Sequence, residues 1–112
     1  MYIGLFLVKP IMKKGHYPII DEKNIKKYWI KDLKTALDLG RFFLDNINEE
    51  CETILGPYEY DYLTPQQCEL LICWINNNKE LINASNLSAL FDVIKEYCDE
   101  AIKLDTGIEI EV

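Results

Sequence analysis

One histidine, four cysteines and a dense cluster of phenols and carboxylates are the side chains from which this chain would build any chemistry. Nucleophilic catalysis needs a nucleophile beside a base, most often histidine. His16 stands in a Lys/Gly/Pro-rich stretch and reads as an exposed loop residue. No GxSxG and no strand–helix elbow surrounds any serine. Cys51, Cys68, Cys73 and Cys98 form no CxxC and no disulfide framework. On a helix Cys68 and Cys73 would diverge by about 140°, and no Cys/His spacing offers zinc its convergent ligands. The five glycines build neither GxGxxG nor GxxxxGK[ST]. We therefore expect no catalytic residue, no metal site and no cofactor.

The segment Tyr58-Glu59-Tyr60-Asp61-Tyr62 suits binding instead. Tyrosine brings a large contact area with few rotors to freeze, and a carboxylate engages Arg or Lys through charge-assisted hydrogen bonds. If the segment is extended, Tyr58, Tyr60 and Tyr62 share one side and Glu59 and Asp61 the other. Together with Glu49, Glu50, Glu52 and Glu69 these acids would concentrate a negative field that attracts a basic partner. The competing reading is structural: the rings pack onto helices and the acids face water.

Charge supports the binding reading. The net charge is −7, but residues 1–44 carry +5 and residues 45–112 carry −12. An acidic majority surface repels phosphates, and the only arginine is Arg41, so direct nucleic-acid binding is not expected. With 112 residues, half of them apolar, the chain suffices for one domain with one core. No run is long enough to span a bilayer, and the apolar opening Tyr2–Val8 lacks the flanks of a secretory signal. Reduced, mostly buried thiols then fit a cytoplasmic location.

The elements that must position these residues are legible to different degrees. Tyr2–Val8 reads as a short buried strand and Lys9–Ile20, with Pro10, Gly15 and Pro18, as a connector. A long helix is expected from an Asp21 cap, with Ile25, Trp29, Leu33, Ala36, Leu37, Phe43, Leu44 and Ile47 on one stripe. Gly40 would mark a bend or a close packing contact, and Asn46–Asn48 would end it. Glu49–Leu55 is consistent with a further helical turn, and Gly56–Leu63 shows turn chemistry without helical periodicity. Thr64, Pro65 and Gln67 then spell a capped start, followed by Leu70, Leu71, Trp74 and Ile75 inward. Asn76–Asn78 weakens that helix at its end. Ser85 or Asn86 caps a last helix whose face is Leu87, Leu90, Phe91, Ile94, Tyr97, Cys98 and Ala101. Ile108, Ile110 and Val112 alternate with outward Glu109 and Glu111 in a half-buried strand that can pair with the first. The expected fold is mainly α, α+β at the margin: three or four helices with a small strand pair.

Tyr58 to Ile75, YEYDYLTPQQCELLICWI, followed by a helix and the Ile108–Val112 strand, resembles bacterial immunity proteins of contact-dependent growth inhibition and related polymorphic toxin systems. The likeness is to a class and covers a little over half the chain. It implies a cognate toxin domain as partner, often a basic RNase or DNase, whose active site or substrate groove is occluded. Glu59 and Asp61 would then occupy cationic positions that otherwise hold phosphates, with Tyr58, Tyr60 and Tyr62 packing around them. The basic first third of the chain departs from a uniformly acidic surface and leaves open which face docks. An alternative of a different class is a regulatory adaptor that binds a cellular protein. Exposed aromatics also permit a homodimer.

Overall fold

The computed structural model describes residues 1–51 and 60–111. In chain order they form β1 (Tyr2–Phe6), a 3-10 turn (Glu22–Asn24), β2 (Ile25–Trp29), α1 (Leu33–Phe42) and α2 (Leu44–Cys51). There follow β3 (Tyr60–Leu63), α3 (Pro65–Asn77), α4 (Lys79–Asn83), α5 (Ser88–Leu104) and β4 (Ile108–Glu111). The strands make one antiparallel sheet in the order β2-β1-β4-β3. The fold is thus α+β, with more sheet than the sequence pattern suggested.

The first and last strands pair as expected, Tyr2 opposite Glu111 and Leu5 opposite Ile108. Alternation sends Ile3, Leu5, Leu63, Ile108 and Ile110 into the main core with the helices, and Tyr2, Gly4, Phe6 and Glu109 to the opposite face. Glu109 does not point to water: it is fully buried. Gly4 lies directly across the ladder, and a Cβ there would come within 2.7 Å of Glu109 Cγ. The missing side chain of Gly4 is the space that the glutamate occupies, which strand alternation alone does not reveal.

The long helix expected from Asp21 is absent. Ile25-Lys26-Lys27-Tyr28-Trp29 is an edge strand instead, in register with all of β1. The i, i+4 spacing of Ile25, Trp29 and Leu33 mimicked a helix. β-branched and aromatic side chains and an unfilled edge on β1 favour the ladder. The cap is Asp32, whose carboxylate accepts the Thr35 N–H at 2.8 Å. α1 runs straight through Gly40 and breaks at Phe43, which is buried. α2 continues past Asn48 to Cys51. Leu33, 54% exposed, faces solvent, and the expected stripe omitted the buried Ile30, Asp38 and Leu39.

The other helices follow their signals. Thr64 accepts the Gln67 N–H while Gln67 Oε1 accepts the Thr64 N–H, a complete capping box with Pro65 behind it. α3 stops at Asn77, and Asn78 Nδ2 donates to the Trp74 carbonyl at 2.8 Å. Leu70, however, is 42% exposed, so the inward stripe is Cys68, Leu71, Trp74 and Ile75. α5 buries the whole expected face, but neither Ser85 nor Asn86 caps it: the N-cap is Leu87, without a side-chain cap, and the Ser85 hydroxyl accepts the Leu87 N–H just before the helix. Phe43, Trp74 and Phe91 meet ring to ring, with centroids 5.0 to 6.0 Å apart, and tie α2, α3 and α5 together.

The turn from α5 to β4 places Asp105 in the left-handed region at φ 55° and Gly107 at φ 138°. A Cβ on Gly107 would strike the Leu63 carbonyl oxygen at 2.5 Å and the Tyr62 ring at 2.6 Å. Glycine there lets β3 close against the turn. Among the described residues no helix is long and apolar enough to cross a membrane.

Candidate functional site

The aromatic triad that fixes α2 against α3 leaves a cleft between the two helices on their outer side. Its volume is about 310 Å³, and Asn46, Glu49 and Glu50 of α2 face Leu70, Cys73, Trp74 and Asn77 of α3, with Asn78 at the end. Trp74 is nearly buried and contributes an apolar wall, whereas Glu49, Glu50, Cys73 and Asn77 are exposed.

The electrostatics of this cleft are one-sided. Glu49 and Glu50 belong to the last turn of α2, where the backbone carbonyls already make the environment negative and no basic residue offsets them. Neither carboxylate has an ion-pair partner among the described residues. Asparagine amides add carbonyl acceptors around the rim. Such a lining accepts a guanidinium or ammonium group whose aliphatic stem lies along Leu70 and Trp74.

The structure distributes the sequence-predicted residues unevenly. Glu49 and Glu50 share the cleft, and Glu69 is exposed on α3 beside it, next to Leu70. Glu52, Tyr58 and Glu59 lie outside the described residues. Tyr60 and Asp61 occupy β3 opposite Glu111 and Ile110. Tyr62 is half-buried: its ring stacks on Phe6 at 5.4 Å, and its hydroxyl donates to the Thr106 carbonyl at 3.2 Å. Burial pushes its phenol pKa above the ordinary value, with the Cys68 thiol and the Asp105 carboxylate adding to the rise. Cys68 and Cys98 are buried and Cys73 is exposed. The sequence placed Asn46 and Asn77 at helix ends and Cys73 on a helix face, but none of them in a partner-binding site. The usable signal was the absence of any basic residue from residue 42 to residue 78, which leaves Glu49, Glu50 and Glu69 without local counter-ions.

A second polar constellation sits on the sheet face opposite the helices. The Tyr2 hydroxyl donates to Glu109 Oε1 at 2.6 Å, and Lys27 Nζ lies 4.6 Å from the Tyr2 ring centroid. Lys27 also pairs with Glu22 and lies 5.5 Å from the Trp29 ring centroid. Glu109 Oε2 and Thr106 Oγ1 are buried without hydrogen-bond partners among the described residues. His16 is exposed in its turn, its backbone N–H donating to the Lys13 carbonyl.

No protein-family model, curated protein or solved structure matches this chain.

Proposed function

We propose that this chain is a protein-binding domain whose α2–α3 cleft receives a cationic side chain of a basic partner, and that the partner is a toxin domain held inactive by occlusion. The observation that carries the reading is the cleft, where Glu49 and Glu50, without an ion-pair partner among the described residues, stand in the last turn of α2 beside Trp74. A helix end, two carboxylates and an apolar wall together favour Arg or Lys over any neutral group. The division of charge along the chain supports it, because the segment that forms the cleft belongs to the −12 portion. Such a field speeds encounter with a basic nuclease and orients the complex before contact. The resemblance to immunity proteins of polymorphic toxin systems supplies the partner class. On this reading Glu69, Glu52, Glu59 and Asp61 extend the same negative field, and Tyr58 and Tyr60 contribute packing.

The test is co-expression with the toxin domain encoded by the neighbouring gene, scoring survival and complex formation. The variant Glu49→Lys with Glu50→Lys should weaken binding at least about tenfold, mostly through slower association at low ionic strength. It should also shield Cys73 less from alkylation in the mixture. Unchanged affinity and unchanged Cys73 protection would remove the cleft from the account.

A further inference from the structure

A different surface, independent of the cleft, carries its own inference. β2 is an edge strand of the sheet. The bonds Ile30 N–H to Met1 O and Leu7 N–H to Asn24 O set the ladder's phase: residues 24, 26, 28 and 30 bond inward to β1. Ile25, Lys27 and Trp29 therefore turn their backbone groups outward. The Ile25 N–H is taken by Glu22 O. The N–H and C=O of Lys27 and of Trp29, and the Ile25 C=O, have no partner among the described residues. Their two-residue spacing is that of a ladder waiting for one more strand.

Side chains decide which strand. On the helix-facing side, Lys26 is exposed and has no carboxylate within ion-pair distance among the described residues, its Nζ resting 5.5 Å from the Tyr97 ring centroid. The same side continues into a hollow of about 180 Å³ lined by Tyr28, Ile30, Lys31 and Leu90, with the Asp32 carboxylate, already held by Thr35, also in its wall. Lys31 is likewise exposed and unpaired among the described residues. On the other side Trp29 is 59% exposed, its ring held edge-on against Tyr2. The edge thus reads as cation, aromatic, cation on one side and an open indole on the other.

We infer that β2 receives an extended acidic segment of a partner protein as a fifth strand. One carboxylate lies beside Lys26 and another at the exposed Lys31 head, and apolar residues cover Trp29. Pairing with β2 of a second copy is disfavoured in parallel register, which sets Lys26 and Lys27 against the same residues of the other chain, and in antiparallel register about Lys27, which sets Lys27 against itself. The lysines therefore select for an acidic strand and against the chain itself.

The probe is a fluorescein-labelled octapeptide alternating glutamate and valine, added to the full chain at low ionic strength. Two controls accompany it: the same peptide with lysine for glutamate, and the Glu/Val peptide N-methylated at alternate residues to remove ladder donors. We expect the Glu/Val peptide to bind at least about tenfold more tightly than either control. At saturation the amide exchange of Lys27 and Trp29 should slow about tenfold or more, with little change at Tyr28. Lys26→Glu with Lys31→Glu, both surface changes, should reverse the peptide preference. Equal binding of the N-methylated peptide, or unaltered exchange at Lys27 and Trp29, overturns the inference. So does self-association of the free chain that protects those same amides.

Discussion

Gly4→Ala isolates the relation between a strand glycine and the carboxylate across from it. The added methyl would lie 2.7 Å from Glu109 Cγ, 2.9 Å from its Oε1 and 3.0 Å from Ile25 Cγ2. Glu109 cannot swing aside, because it is fully buried and Tyr2 holds its Oε1. Overpacking of this kind costs about 1–3 kcal/mol, or a fall in Tm of roughly 4–12 °C at about 4 °C per kcal/mol for a domain of this size. Glu109→Ala by itself leaves the Tyr2 hydroxyl without that acceptor, at a cost of about 1–3 kcal/mol. In the Glu109→Ala background two of the three close contacts vanish and only Ile25 must give. The Gly4→Ala cost should then drop to about 0.5 kcal/mol, a coupling of about 0.5–2.5 kcal/mol, in the range for residues that touch. Urea denaturation of the four proteins, followed by tryptophan fluorescence, measures it. Costs that add to within about 0.3–0.5 kcal/mol would refute the packing argument.

Three further outcomes are expected. Thr64→Ala breaks the capping box and should cost about 1 kcal/mol, with Thr64→Ser recovering most of it in the same denaturation assay. Phe91→Ala removes the ring shared by Phe43 and Trp74 and should cost about 3–5 kcal/mol, whereas Leu33→Ala should stay within about 0.5 kcal/mol; equal losses would undo the assignment of Leu33 to the surface. The third concerns acid. The Thr35 backbone N–H lowers the pKa of Asp32, and the Lys34 hydrogen bond, helped by Asn86, lowers that of Asp38. Depressed carboxylates stabilise fully above the ordinary range near 4 and lose that contribution as pH falls through their folded values. Thermal melts from neutral pH down to acid should therefore show a shallower acid decline for Asp38→Asn than for the wild type.

Where local signals were strong, the sequence reading and the fold agree. The capping box of α3 and the seven-residue apolar face of α5 need no distant partner to be read, because caps and 3.6-residue periodicity are properties of a single segment. The pairing of the two terminal strands was also legible, since each was apolar enough to need covering. The Ile25–Trp29 strand was not. Its apolar spacing satisfied a helix, and only the open edge of β1, some twenty residues away, makes the extended form better. Glu49 and Glu50 were visible as acids, but the residues facing them across the cleft come from α3.

The sequence by itself determined the capped start of α3, the core face of α5 and the lopsided charge. Only the tertiary structure decided that Glu109 is buried, that Lys27 and Trp29 turn outward backbone groups that have no partner among the described residues, and that Glu49 and Glu50 share a cleft with Trp74. The physical reason is range. Periodicity and capping are settled within a turn or two of chain. Burial of a carboxylate, choice of an edge and convergence across a cleft each depend on which remote segment arrives opposite, and the residue types do not carry that information locally.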